Sequence, residues 1–385
     1  MRLYRSPSIS VLLVLVTALL LAACGAQTPA AAPAGATTAP AAAAATTAPA
    51  ATTAPAAAAA TTAPAGPAAS TDQGACTTEA ASGATTSDKI RLVIGTGGTG
   101  GVFFPYGGGL ARIITEKLPN AEATAEETGG SVDNMKLIAK GEADIGLSTV
   151  DSAYDASIGA GSYKDTGPVP ACAIAVLYQS FVHVVALESS GINTVEEMKG
   201  KRISVGSAGS STEGAADRVL EAAGLNPQSD VLRDNLSVAE SVAAMKDQKI
   251  DAFFWIGGLP TSAVTDLVAT PNLAVKFIPT SQYVDAIVAK YGPVYQAFDL
   301  PAGTYSGFDQ PIPGIGIGNI LFVNANMPAD LSYNLLKTIF DNLAEVQEIH
   351  PEAKKLVLET SATGSSIPFH PGAIKFYTEQ GVWKP

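Results

Sequence analysis

Residues 90–109 read IRLVIGTGGTGGVFFPYGGG, an apolar strand running into a turn of almost pure glycine. With no side chains in the way, several backbone N–H groups of such a turn can reach one ligand. A helix starting there aims the positive end of its dipole at the same point. The arrangement returns in Lys201 to Glu213 (KRISVGSAGSSTE), again strand, Gly/Ser/Thr turn and helix start. A matching unit follows each turn: Ser131-Val132-Asp133-Asn134 leads to Ala143-Asp144-Ile145, and Ser237-Val238-Ala239-Glu240 leads to Ile250-Asp251-Ala252. The repetition predicts two α/β lobes of one design, facing each other across a cleft.

The N-terminal segment carries Arg2 and Arg5, an apolar run from Ile9 to Leu21, and then Leu21-Ala22-Ala23-Cys24. This is the layout of a secretory signal peptide over residues 1–23: charged start, apolar middle too short for a stable membrane span, small residues at the cut. Cysteine directly after Leu-Ala-Ala resembles the bacterial lipobox, in which Cys24 is lipidated and becomes the first residue of the mature chain; a plain secretory signal with a chance cysteine is the alternative. Both predict a protein that works outside the cytoplasm, the first one lipid-anchored to a membrane. Residues 24–87 are rich in Ala, Thr and Pro, and Thr-Thr-Ala-Pro-Ala starts at Thr37, Thr46, Thr52 and Thr61. Without large apolar residues this segment cannot offset its ordering entropy, and its prolines favour extended conformers. It is expected to be a disordered tether reaching on the order of 100 Å. The net charge of −12 argues against nucleic acid as a partner. Cys76 and Cys172 can form a disulfide in an oxidising compartment or stand as two separate thiols; spacing alone leaves both open.

The remainder is long enough for two lobes. Five segments repeat the order apolar strand, small polar turn, helix: Leu92–Ile94 with Thr96 to Gly101, Ala123–Glu126 with Thr128 to Ser131, Ile145–Leu147 with Ser148 to Ser152, Ile203–Val205 with Ser207 to Glu213, and Ala252–Trp255 with Gly257 to Thr261. Such alternation predicts parallel sheets with helices on both faces. Ala216, Val219, Leu220 and Ala223 fall at helical spacing before Gly224, and Leu336, Ile339, Phe340 and Leu343 repeat the stripe. Thr194 and Glu197 have capping-box spacing. The expected boundaries are residues 88–187 for the first part of lobe 1, 188–314 for lobe 2, and 315–385 for the return to lobe 1. The expected crossings are Val182–Leu187 and Ile315–Val323, which together form a hinge.

Ligands of open parallel sheets collect beyond the carboxyl ends of the strands. All five turns are expected at that edge, where they offer N–H groups and the hydroxyls of Thr96, Thr99, Ser131, Thr149, Ser152, Ser207, Ser210, Ser211 and Thr212. None of the five contains Lys or Arg. Donors without a fixed cation suit a small, polar, anionic solute held by helix ends, each contributing about 0.3–1 kcal/mol. The bland alternative is that the hydroxyls only cap helices. Phe103, Phe104, Tyr106, Tyr154, Tyr178 and Trp255 flank the turns and can wall the cleft or fill the core. Glu213, just inside a helix, complements the helix dipole.

Gly95-Thr96-Gly97-Gly98-Thr99-Gly100 also fits G-x-G-x-x-G, and Glu126 and Glu127 end the next strand where a ribose-binding acid would stand. Against a dinucleotide site stand export, the expected disturbance of the following helix by Pro105 and Gly107 to Gly109, and the absence of the motif from the second lobe. Catalytic constellations are thin. His183 lies in a strand, His350 and His370 precede prolines, and there is no G-x-S-x-G elbow, P-loop or zinc-spaced Cys/His set. Asp144 and Asp251 close helix-to-strand turns. No catalytic residue, metal or cofactor is expected.

Taken together, IGTGGTGGVFFPYGGGLARII, ETGGSVDNMKLIAKGEADIGLSTVDSAYDA, VGSAGSSTEGAADRVLEAAGL, KIDAFFWIGGLPTSAV and IPFHPGAIKFYTEQGVW resemble the TAXI solute receptors, the TRAP-associated extracytoplasmic immunogenic proteins. The resemblance runs from Ile90 to Val382. It implies a type II periplasmic-binding-protein fold, two doubly wound α/β lobes joined by a hinge. It further implies a cleft for a small organic acid or amino acid such as glutamate or 2-oxoglutarate, and delivery to a TRAP-type, ion-gradient-driven permease. The family's binding loops map onto Thr99, Gly100 and Gly101, Ser131, Thr149, Ser207, Ser210, Ser211, Thr212 and Glu213, and Gly257, Gly258 and Pro260, with Trp255 beside them. Relatives usually carry glycine where Ser211 stands. The arginine clamp typical of the sister receptor family is not evident in any turn. An exported enzyme on the same scaffold, or a receptor serving an ABC importer or a sensor kinase, are the competing expectations.

Overall fold

A computed structural model describes Cys76 and residues 89–384; the expected signal peptide, Cys24 and the rest of the tether lie outside the described residues. Lobe 1 opens with β1 (Ile90–Gly95), α1 (Phe103–Lys117), β2 (Ala121–Glu126), α2 (Ser131–Lys140), β3 (Ile145–Thr149) and α3 (Val150–Ile158). Strand β4 (Ala171–Leu187) then crosses over; its 17 residues span about 56 Å at about 3.3 Å each. Lobe 2 repeats the order with β5 (Arg202–Ser204), α4 (Ser211–Ala222), β6 (Leu232–Asp234), α5 (Val238–Lys246), β7 (Ala252–Gly257) and α6 (Ser262–Val268). After β8 (Val275–Phe277), α7 (Val284–Tyr291) and β9 (Gln296–Leu300), strand β10 (Ile312–Asn324) returns to lobe 1. There α8 (Ala329–Asp341), α9 (Leu343–Gln347), α10 (Leu358–Ser361) and α11 (Pro371–Glu379) pack against α1 and β4.

The strand order is β2-β1-β3-β10-β4-β7-β5-β6. Strands β2, β1 and β3 are parallel, as are β6, β5 and β7. Each trio is completed by a crossing strand running the other way, β10 against β3 and β4 against β7. The sheets are therefore mixed rather than parallel. A chain that leaves one lobe and returns must do so through two opposed strands, and these pair with each other between the lobes. This is the type II periplasmic-binding-protein arrangement, two α/β lobes related by a swap of the crossing strands.

Pairing locates the hinge more closely than the sequence does. In β4, Phe181–Ala186 already pair with β7, so Val182–Leu187 belongs to lobe 2. In β10, Ile312–Gly316 pair with β9 and Asn319–Val323 with β3. The partners change at Gln179–Phe181 and Gly316–Gly318, which face each other.

The repeated aspartates explain why both lobes fold alike. Val93 N–H donates to Asp144 Oδ2 at 2.8 Å while Asp144 N–H donates to Val93 O at 2.9 Å. In lobe 2, Arg202 N–H donates to Asp251 Oδ2 at 2.9 Å and Asp251 N–H to Arg202 O at 2.7 Å. Each aspartate thus clamps an incoming strand to the first strand of its lobe.

Two local expectations change. Helix α1 runs through Pro105 and Gly107 to Gly109 without interruption. Pro105 sits in the first turn, where its missing N–H is not needed. The glycines allow close packing: a Cβ at Gly107 would lie 2.4 Å from Thr96 Cγ2, and one at Gly109 would lie 2.4 Å from Ile349. The capping-box spacing at Thr194 and Glu197 produces only a 3-10 turn over Glu196–Met198, and Glu197 accepts instead from Asn193 N–H at 2.6 Å. The reciprocal box stands at Ser237 and Glu240, at the head of α5.

Cys76 and Cys172 are disulfide-bonded, which ties Cys76 to the buried start of β4. The bond closes a loop of sequence separation 96. Reducing it is expected to lower the unfolding free energy by about 2–4 kcal/mol, as read from urea unfolding with and without a phosphine reductant. Identical midpoints in the two curves would show the bond to be stability-neutral.

Candidate functional site

All five Gly/Ser/Thr turns meet around one cavity between the lobes, about 70 Å³ in volume. That is room for on the order of five water molecules. From lobe 1 come Thr99, Gly100 and Gly101, then Ser131, then Thr149. From lobe 2 come Ser207, Ser210, Ser211 and Thr212, with Trp255 and Gly257. Phe103 and Tyr178 also line it.

The hydroxyls form a chain across the cleft. Ser131 Oγ accepts from Thr149 N–H at 3.1 Å and donates to Ser211 Oγ, in the opposite lobe, at 3.3 Å. Ser211, the side chain that departs from the resembled pattern, thus supplies the lobe 2 end of an interlobe contact. Thr212 Oγ1 accepts from Ile256 N–H at 3.2 Å, and Ser210 caps α4 by accepting from Glu213 N–H at 3.3 Å. Ser131, Thr149, Ser211 and Thr212 are all buried.

Five helices start at this cavity, because Val102–Phe103, Ser131, Thr149, Ser210–Thr212 and Ser237–Ala239 all line it. Side chains cap α4 and α5, whereas α1, α2 and α3 have no side-chain cap. Asp133 and Asp151 stand in the first turns of α2 and α3, and Asp133 N–H is taken by Gly209 O. The first-turn N–H groups that stay free favour an anion by about 0.3–1 kcal/mol per helix, up to ~2 where buried. No Lys, Arg or His lines the cavity, and Glu127 is its one carboxylate.

Four candidates stand elsewhere. Thr96 is fully buried behind the turn and donates to Glu126 O at 2.5 Å. Glu213 faces outward, where Arg233 pairs with it at 2.7 Å and Asn235 donates to it at 3.0 Å. Gly258 packs against Glu352, since a Cβ there would lie 2.5 Å from Glu352 Cγ, and Pro260 follows it outside the lining. Among the flanking aromatics, Tyr106 is buried and stacks on Tyr178, while Tyr154 packs toward Gly292. Ser152 is turned away too and pairs with Tyr163 at 2.8 Å.

Three further contributors join the turns. Ser237 to Ala239 carried a signal, since they repeat Ser131 and its successors. Ser180 lies on β4 with no turn beside it, so only the register of the crossing strands brings it in. The sequence marks Glu127 only through the G-x-G-x-x-G pattern, as an acid at the end of the next strand.

The lobes are closed over the cavity. Asp133 N–H donates to Gly209 O at 3.0 Å on one rim, and Ser262 Oγ donates to Gly100 O at 3.2 Å on the other. Beyond the cavity, Arg218 of α4 reaches from lobe 2 to Asp155 and, at 3.9 Å, to Asp151 on α3 of lobe 1. Tyr295 accepts from Arg218 at 2.7 Å and donates to Asp151 at 2.6 Å, and the Tyr291 ring lies 4.4 Å from the guanidinium.

Behind the cavity, Tyr305 Oη accepts from Thr261 N–H at 3.0 Å and lies 2.9 Å from His183 Nε2. With its phenolic proton given to Nε2, the imidazole is neutral and Nδ1–H points to Phe181 O at 3.0 Å. Burial pushes the His183 pKa down from 6.5 to about 4. An unfolded chain therefore takes up a proton that the folded one refuses. The stabilisation is complete above pH 6.5 and is lost as pH falls toward about 4. At pH 5 the expected loss from this residue is about 2 kcal/mol. Comparing the pH dependence of unfolding of wild type and His183→Gln checks this; parallel profiles would contradict it.

Among the described residues no helix is long and apolar enough to cross a membrane, and no cluster of His, Cys, Asp and Glu could hold a metal ion.

The chain is similar to several solved structures. For the periplasmic aliphatic sulphonate binding protein SsuA of Escherichia coli, identity is 16%, the TM-score 0.41, and coverage 76% of this chain and 84% of that one. For the periplasmic binding protein BugD the values are 17%, 0.48, 77% and 95%. For a putative L-cystine ABC transporter of Listeria monocytogenes they are 13%, 0.41, 71% and 98%. A family model matches residues 94–381, nearly all of both lobes, and by that match the chain belongs to the NMT1-like family.

Proposed function

We propose that this protein is an extracytoplasmic receptor that captures a small organic acid or amino acid, of the glutamate or 2-oxoglutarate kind, between its lobes. It then delivers the solute to a TRAP-type membrane permease. The observation that carries the proposal is the convergence of five helix starts and buried hydroxyls from both lobes on one cavity that contains no cation. Hydrogen-bond donors of fixed position and partial positive charge suit a carboxylate, and the solute bridges the lobes because its contacts come from both. Only the closed form completes those contacts, so solute binding shifts the population toward closure, and the closed form docks on the permease. The TRAP assignment rests on the TAXI-like motifs around these turns. The Leu-Ala-Ala-Cys24 sequence and the long tether support a lipid anchor that leaves the lobes free to reach the permease.

Material unfolded and refolded to remove retained solute should gain thermal stability with one or a few small carboxylates. At a solute concentration 100 times Kd the gain is about 2.7 kcal/mol. A broad screen of organic acids and amino acids that shifts nothing, alongside a clear shift with dinucleotides, would sink the proposal. With the solute in hand, uptake by proteoliposomes carrying the permease should follow an ion gradient and ignore ATP.

A further inference from the structure

Glu127 is the residue that the G-x-G-x-x-G pattern marked and that a receptor for simple carboxylates leaves without a task. It is the one carboxylate lining the cavity, and it is exposed whereas the hydroxyls are buried. Its Oε1 accepts from Thr99 N–H at 3.3 Å. Among the described residues it forms no ion pair, and its second carboxylate oxygen has no hydrogen-bond partner. The inner wall has the opposite character: starts of α2 and α3 without a side-chain cap, with the hydroxyls of Ser131, Thr149 and Ser211, and no acidic side chain among the lining residues there.

We propose that Glu127 makes the cavity selective for zwitterions, with the carboxylate of an α-amino acid at the inner wall and its ammonium on Glu127. This deepens the receptor proposal and rests on it. A 2-oxo acid of the same skeleton presents a carbonyl oxygen where the amino acid presents N–H donors. It therefore meets Glu127 acceptor to acceptor, with a net repulsion between like charges. The cavity holds no Lys, Arg or His to offset that repulsion. One charge-assisted hydrogen bond made by one ligand and refused to the other corresponds to about a tenfold difference in affinity.

The test uses refolded protein and isothermal titration with matched pairs: L-glutamate and 2-oxoglutarate, L-alanine and pyruvate. Wild type should bind the amino acid of at least one pair about tenfold more tightly than its 2-oxo partner. Glu127→Gln keeps an acceptor for Thr99 N–H but carries no charge. It should lose about tenfold for that amino acid and hold or improve its affinity for the 2-oxo acid. Equal weakening of both members would mean that Glu127 only holds the glycine turn, and would overturn the proposal. So would unchanged binding of both, or a wild type that prefers the 2-oxo acids; in those cases the receptor proposal stands. Failure of every member of both pairs to bind wild type would overturn the proposal too, and the receptor reading would then be decided by the broad screen.

Discussion

Alanine at Gly129 is expected to weaken solute binding on the order of 100-fold while both lobes stay folded. A Cβ there would stand 2.4 Å from the carbonyl oxygen of Ala208, across the cleft in lobe 2. Both positions are set by backbone, so no change of rotamer relieves the overlap. Gly129 itself does not have positive φ, and within its own lobe an alanine meets only the side-chain carboxylate of Asp133, whose Oδ2 would lie 2.5 Å from the Cβ and can rotate away. Overpacking of this kind costs up to about 3 kcal/mol, and here it acts only when the lobes meet. The penalty therefore comes out of the closed population, the one that holds the solute. Titration with whichever carboxylate stabilises the wild type measures the loss, and small-angle scattering should show a more open particle. Gly108→Ala is the control, because nothing lies within 4 Å of a Cβ there and the site is inside α1. A Gly129→Ala dissociation constant within about threefold of wild type, well under 1 kcal/mol, would mean that closure tolerates the extra atom.

Replacing Arg218 with methionine is expected to cost about 3–5 kcal/mol of stability. Arg218 is 7% exposed and Asp151 3%. The guanidinium is held by Tyr291 and Tyr295 in its own lobe and faces two carboxylates of the other. Methionine fills much of the same volume but leaves Asp151 and Asp155 without a cation, and an unpaired buried charge is the costly half of a broken ion pair. Adding Asp155→Asn should recover part of the loss, since a neutral amide is cheaper to bury. The interaction energy from the full double-variant cycle then isolates the pair. Lysine should rescue poorly, because one ammonium cannot satisfy Asp155, Asp151 and Tyr295 at once. Urea unfolding decides: a loss below about 1 kcal/mol would place the cluster with ordinary surface ion pairs.

Local features of the chain were readable because each is written in a few neighbouring residues. The strand-turn-helix units, the helical stripe of Ala216, Val219 and Leu220, and the twin positions of Asp144 and Asp251 all follow from spacing along one element. So does the gathering of Ser131, Thr149 and Ser210 to Thr212 at one sheet edge, because turns that follow parallel strands emerge on the same side. The misreadings share a different origin. Pro105 and the glycines of α1 looked like helix breakers because the surfaces they accommodate, Thr96 and Ile349, are set by distant packing. Thr194 and Glu197 matched a capping pattern, but the side chain found Asn193 instead. Glu213 sat in the right turn on the wrong face, and Arg233 from the next strand holds it there.

What the residues determined by themselves is a doubled α/β design with polar, glycine-rich corners and no fixed cation among them, since backbone conformation and dipole direction are local properties. Which corners share a cavity, where β4 changes partner, that Cys76 meets Cys172, and that Arg218 spans the lobes were decided only in three dimensions. Those contacts join residues far apart in the chain. Their formation depends on the register of two long crossing strands, a quantity that no single stretch of sequence contains.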